Sequence, residues 1–253
     1  MNIKSILTSA LLLASFMTAG AQTRYLNVQT GDGQYKSFEV TPDLELSWDL
    51  KNYEENKPAT TTGTAKATIN SVETNVNWVQ LWEGGPKFAD HNIGATSETD
   101  YGGYYCWGMS TDKDPDGNFK EGSAPLSGTD DTATKLWGSN WRMPTKGELE
   151  NLFANCNVKW IDGIYEKYNN TTVTGLLFTG KDAYSSNLVF LPAAGYWDYG
   201  DVLDQGRYGG YWSSSSWPYG SNYAYRLLFV SGSQSVDYGY RYFGYSVRAV
   251  LAE

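Results

Sequence analysis

Histidine occurs once in this chain, at His91, and cysteine twice, at Cys106 and Cys156. One imidazole is too few for a zinc site or a proton relay built on histidine. Two thiols exclude a disulfide framework. They allow one bridge in an oxidising compartment, with two free thiols as the equal alternative. Basic residues are scarce as well, 19 against 28 acidic, for a net charge of −9. With no basic cluster there is no electrostatic footprint for a phosphate backbone, which argues against nucleic acid as a partner. Hydrophobic runs are short, and none reaches the ~20 residues of a transmembrane segment.

The apolar run from Ile6 to about Thr18 follows Lys4 and closes with Ala19-Gly20-Ala21. That is the pattern of a signal peptide over residues 1–21. No cysteine lies near the cleavage point, so a lipid anchor there is not expected. The mature chain is expected to start near Gln22 and to be exported to the periplasm, the cell surface or the medium. What the chain does have is rings: 10 Trp, 20 Tyr and 9 Phe. With aliphatic residues sparse, some of these must build the core.

Along the chain, "RYLNVQT" and "YKSFEV" flank "GDGQ", and the glycines favour a tight reversal. Residues 22–50 therefore read as an N-terminal β-hairpin segment. Residues 51–71, rich in Thr, Ala, Lys and Glu, read as a linker or extended edge. The main domain then runs over 72–253. Its clearest helix starts at Thr145, with Glu148 at capping-box spacing and Leu149, Leu152, Phe153 and Cys156 on one stripe. A weaker helix is expected around 132–137. "GLLFTG", "NLVFLPAAGYW", "GGYWSSSSW", "YAYRLLFV" and "YSVRAVL" read as strands, with "SGSQ" a hairpin turn. Few helices, several strands and long loops give α+β as the expected class.

Five phrases occur in order: "FADHNIGATSETDYGGYYCWG", "WGSNWRMPTKGELENLF", "VFLPAAGY", "YGGYWSSSS" and "RYFGYSVRAV". Together they resemble the Fibrobacter succinogenes major paralogous domain family over roughly residues 76–253. The resemblance implies a C-type-lectin-like fold, related to formylglycine-generating enzymes and to retroelement variable proteins. It implies a scaffold role for Trp141 to Thr145, for Trp212, Ser213 and Ser214, and for Gly244 to Val250. Three positions depart from the family pattern: His91 stands where Cys is frequent, Cys106 where a small residue is common, and Ala249 where Pro is usual. A family-type disulfide is thereby in doubt, with Cys106 and Cys156 left as a substitute pair.

From Tyr208 to Tyr245 there are nine Tyr, two Trp and eight Ser. Tyr and Trp give large contact area at low entropy cost, and Ser and Asn supply adaptable hydrogen bonds. With the scaffold positions set aside, Trp217, Tyr219, Asn222, Tyr223, Tyr238, Tyr240 and Tyr242 are the candidate ligand contacts. Trp197 and Tyr199, beside Asp198 and Asp201, repeat this chemistry on a smaller scale. The competing reading is plain packing of a β-sheet with a wet outer face.

Asp112, Asp114, Asp116 and Gly117 are spaced like the first half of an EF-hand calcium loop. Ser123 stands where the bidentate Glu belongs and Pro115 stiffens the run, so a solvated acidic turn is the preferred reading over calcium. Glu-Pro-Asn and Gln-Pro-Asp, the sugar-calcium tripeptides of C-type lectins, are absent. Cys106 or Cys156 with His91 makes a nucleophile pair in principle, without support from spacing. No cysteine follows Cys156, whereas formylglycine-generating enzymes need a pair near their C-terminal region. The expected function is therefore non-catalytic binding of a glycan or a cell-surface partner. The alternatives are an adhesin or structural cell-envelope protein, and lastly an enzyme.

Overall fold

The computed structural model describes residues 61–165 and 171–252, and the backbone of residues 25–29 and 35–39. The signal segment expected over 1–21 and the linker up to residue 60 lie outside the described residues. The chain divides into two compact units, Met1–Ala59 and Thr60–Glu253. In the first, β1 (Tyr25–Gln29) pairs antiparallel with β2 (Tyr35–Glu39), with Asn27 opposite Ser37.

The second unit is built from small antiparallel sheets. A five-stranded sheet has the order β3-β4-β5-β15-β6: β3 (Thr62–Ile69), β4 (Val72–Gln80), β5 (Lys87–Ala89), β15 (Val250–Leu251) and β6 (Trp141–Arg142). Thr62–Ile69, inside the stretch read as linker or extended edge, is thus an edge strand. It turns into β4 through Asn70 and Ser71, at φ 50° and 66°, the positive values a two-residue hairpin turn requires. A second sheet holds β7 (Asn157–Tyr165), β8 (Thr171–Thr179) and β9 (Leu188–Pro192). The third holds β12 (Tyr208–Ser216), β13 (Tyr223–Val230) and β14 (Ser233–Tyr240), with β14 at its edge. On that edge Asp237 Oδ1 accepts the Tyr238 N–H at 2.7 Å. A short hairpin of β10 (Tyr196–Asp198) and β11 (Asp201–Leu203) completes the set.

The expected α+β class, with its C-type-lectin-like domain, is not what this chain folds into. The described residues are mostly β, with two α-helices of six and ten residues: α1 (Thr132–Trp137) and α2 (Lys146–Asn155). The physical reason lies in the core. α1 gives Ala133 and Trp137, and α2 gives Leu149 and Leu152; strands and loops supply most of the rest. One core cluster gathers Trp78, Trp107, Trp137, Trp141 and Trp212. A second lies under α2 and holds Phe178, Leu191, Tyr211, Leu227 and Phe229, and a small third gathers Ile161, Val173, Leu177 and Phe190. Neither helix forms a layer. Rings also set the backbone spacing. A Cβ on Gly209 would sit 2.0 Å from the Phe229 ring, so only glycine lets β12 pack there.

α2 starts as its sequence dictates. Thr145 Oγ1 accepts the Glu148 N–H at 3.2 Å, and Glu148 Oε2 accepts the Thr145 N–H at 2.7 Å. Glu148 also takes a two-pronged bond from Arg142, at 2.7 and 2.8 Å. Burial pushes the Glu148 pKa up, but the guanidinium and the Thr145 N–H outweigh it and hold it below its ordinary 4.5. A carboxylate with a depressed folded pKa stabilises above its unfolded value and loses that contribution as pH falls through the folded one. Glu148→Gln is therefore expected to cost about 2 kcal/mol at neutral pH. The gap to the parent should close as pH falls below the ordinary 4.5. Urea unfolding across that range checks it, and a gap independent of pH would refute the assignment.

Candidate ligand-binding surface

β13 and β14 pair with Tyr223 opposite Tyr240 and Tyr225 opposite Tyr238, so four phenol rings share one face. Farther along that face Leu227 and Phe229 go into the core, leaving the tyrosine end for the surface. The loop from Trp217 to Asn222 returns from β12 and lays Trp217 across this end. Its ring lies 4.4 Å from Tyr238 and 5.0 Å from Tyr225. Tyr219, 86% exposed, meets Trp217 edge-on at 5.5 Å. Tyr223 contacts Tyr238 at 5.4 Å and Tyr240 at 4.6 Å. Tyr240 stacks on Tyr242 at 5.1 Å, and Tyr242 meets Tyr199 at 5.7 Å.

A continuous strip of rings results, from Tyr219 through Trp217, Tyr238, Tyr223, Tyr240 and Tyr242 to Tyr199. Seven of the nine candidate residues lie on it. Tyr199 is 68% exposed, Tyr238 43% and Tyr240 41%. Trp197 is half-buried behind the Tyr199 end, its indole N–H donating to the Asp114 carbonyl at 3.2 Å. Asn222 is exposed and gives its carbonyl to the Arg241 N–H at 2.9 Å. The hydrogen bond to Tyr240 raises the Tyr223 pKa, and burial followed by neighbouring rings raises that of Tyr242. Both phenols remain O–H donors well past neutral pH.

Tyr199 sits at φ 38° at the tip of the β10–β11 hairpin. A bulky residue with positive φ costs on the order of 1 kcal/mol. The two-residue turn Tyr199-Gly200 takes positive φ at both positions and leaves the tyrosine ring in solvent at the end of the strip. Tyr199→Gly is expected to raise stability by up to about 1 kcal/mol, because glycine accepts this φ freely. A fall in melting temperature would show that the ring carries packing instead.

Behind the strip the backbone is pinned by a buried arginine. Arg241 is fully buried, its guanidinium 4.0 Å above the Trp107 ring. It donates to the carbonyls of Tyr223 at 2.8 Å, Lys120 at 2.9 Å and Gly122 at 2.6 Å. One residue thus ties the strip to the loop beneath it. Trp212, Ser213, Ser214 and Ser246 are all buried. Sequence reasoning did not single out Arg241, nor Tyr225, which the strip reaches through Trp217. The alternation along β13 already places Tyr225 on the Tyr223 face; Arg241 has no comparable signal, because its partners are carbonyls up to 121 residues away.

The three candidate calcium ligands do not converge. Asp112 Oδ1 accepts the Tyr104 N–H at 2.7 Å, and Asp114 Oδ1 accepts the Asp116 N–H at 2.9 Å. Asp116 faces solvent. Their oxygens stabilise the loop backbone, and among the described residues no group of three or more His, Cys, Asp or Glu is placed to hold a metal ion.

Both cysteines are free and buried, so the substitute disulfide does not form. Cys106 Sγ donates to the Tyr242 carbonyl at 2.9 Å, and Cys156 ends the apolar stripe of α2. Burial pushes each thiol up to about 12, far from the thiolate a nucleophile requires. His91 is held elsewhere, 2.5 Å from Asp90 and against the Trp137 ring at 5.4 Å. No Cys–His pair is assembled from these contacts. A separate groove of about 390 Å³ lies between α1 and α2, lined by Asp131, Arg142 and Ser215 among others. Asp131 there caps α1 and accepts the Met143 N–H, and Arg142 holds Glu148, so these groups serve the fold.

No family model, no curated protein and no solved structure matches this chain.

Proposed function

We propose that this chain is an exported, non-catalytic binding module that recognises a glycan through its strip of tyrosine and tryptophan rings. The observation that carries the reading is the continuity of the strip. Seven candidate rings from three chain segments touch in series on one surface. Aromatic faces and edges suit the C–H faces of sugars, and protonated phenols suit their hydroxyls. Tyr199 remains 68% exposed at the hairpin tip, which supports a role outside packing. Kinship with the major paralogous domain family belongs to this reading, on the five shared phrases alone.

A glycan array with the purified protein tests it, run with calcium and with chelator. Hits should be reproducible and the same in both. Trp217→Ala and Tyr223→Ala should each weaken binding about tenfold while the melting temperature stays within a few degrees. A blank array from folded protein would sink the glycan reading and turn attention to a cell-surface protein partner.

A further inference from the structure

The Tyr199 end of the strip differs in charge chemistry from the rest. Three separate segments meet there: the β10–β11 tip, the Tyr240-Tyr242 run and the loop from Asp114 to Gly117. A methyl group at Gly117 would lie 3.4 Å from Tyr242 Cβ and 3.9 Å from the Tyr199 ring, so this loop borders both tyrosines. Asp116, the residue before it, is exposed. On the other side Asp198 precedes Tyr199, and it lies close enough to Tyr242 to contribute to raising that phenol's pKa. Asp198 Oδ1 is buried and accepts no hydrogen bond among the described residues. The carboxylate pair Asp198 and Asp201 stands cross-strand on the hairpin. The loop's own cation, Lys113, is turned away to Asp112 at 3.5 Å and to the Tyr104 ring at 5.5 Å. At the opposite side of the strip Lys146 sits over Tyr225, and its ammonium is paired with Glu150.

Tyrosine faces attract cations electrostatically, and carboxylates beside them add charge. An acidic ligand would meet repulsion here, and a neutral one would leave the carboxylates unused. We propose that the Tyr199–Tyr242 end of the strip receives an organic ammonium group, so that the glycan is one with free amines, a polymer of the glucosamine type. This rests on the glycan reading above and narrows it to a substrate class.

The test uses β-1,4-linked glucosamine hexamer and its fully N-acetylated counterpart, titrated calorimetrically into the full protein. The free-amine hexamer is expected to bind about tenfold more tightly at low ionic strength, with the gap narrowing as salt is added. Asp198→Asn and Asp116→Asn should each shrink the gap without changing affinity for the acetylated form or the melting temperature. Equal affinities, tighter binding of the acetylated hexamer, or a gap that both variants leave intact would overturn the proposal. Binding of a neutral hexose polymer with no response to either hexamer overturns the amine assignment and leaves the glycan reading standing. Binding of no glycan overturns both. Capture of oligolysine in place of the hexamer overturns it in favour of a basic peptide.

Discussion

Arg241→Ala is expected to cost the folded state about 4 kcal/mol, among the largest single losses available in this chain. The guanidinium is fully buried, stacks on Trp107 and satisfies three carbonyls, those of Tyr223, Lys120 and Gly122. Its removal takes the side-chain donor from the Lys120 and Gly122 carbonyls, while the Tyr223 oxygen keeps the Trp217 N–H at 3.2 Å. Each buried unsatisfied group costs ~1–3 kcal/mol, and the lost side-chain volume adds a cavity. Relief of the cation's own desolvation offsets part of this, which keeps the figure below the simple total. Lysine should not rescue it. A point charge on a flexible stem cannot reproduce the planar fork that reaches separate carbonyls while lying flat on an indole. Urea denaturation of the alanine and lysine variants measures both losses. A lysine variant as stable as the parent would show that charge matters here and the fork does not. Because Tyr223 is one of the three anchors, a surviving Arg241 variant should also bind the proposed glycan more weakly.

Trp212→Ala is expected to lose a similar amount, about 4 kcal/mol. Its ring is fully buried between sheet and loops, meets Tyr245 edge-on at 4.8 Å and donates its N–H to the Tyr105 carbonyl at 2.8 Å. Two effects are mixed in that number. Trp212→Phe separates them, since it keeps most of the apolar ring and removes the donor. It should cost about 1–2 kcal/mol, for the lost indole bond and the smaller ring, because the Tyr105 oxygen keeps the Tyr245 N–H at 3.1 Å. If the phenylalanine variant unfolds as readily as the alanine one, the hydrogen bond carries more of the energy than the packing.

What could be read from residues alone follows from how local each cause is. The cap at Thr145 and Glu148 needs residues three apart, and the structure has both of its bonds. The β13–β14 hairpin needs only period-two alternation around Ser231-Gly232, and the register follows. The fold class depended on what fills the space between elements. Tryptophans at 78, 107, 137, 141 and 212 meet in one cluster, and nothing local announces that meeting. One clear helical signal and one weaker one pulled the class toward α+β, although each helix only plugs the side of a sheet. The rings of the candidate surface stood out by composition, yet their order of contact depends on the Trp217 loop folding back over β14. The Asp112-Asp114-Asp116 spacing matches half a calcium loop even where a solvated acidic turn is the preferred reading, because spacing is blind to where each oxygen points.

The edge strand β14 has a consequence for the chain's behaviour in a crowd. Its outer backbone groups face solvent between flat tyrosines, a surface on which a second copy's strand could add itself and start a fibre. One carboxylate interrupts that template: Asp237 occupies the Tyr238 N–H and sets a negative charge on the edge. Asp237→Ala is therefore expected to free this N–H for a second copy and to raise the tendency to aggregate at high concentration.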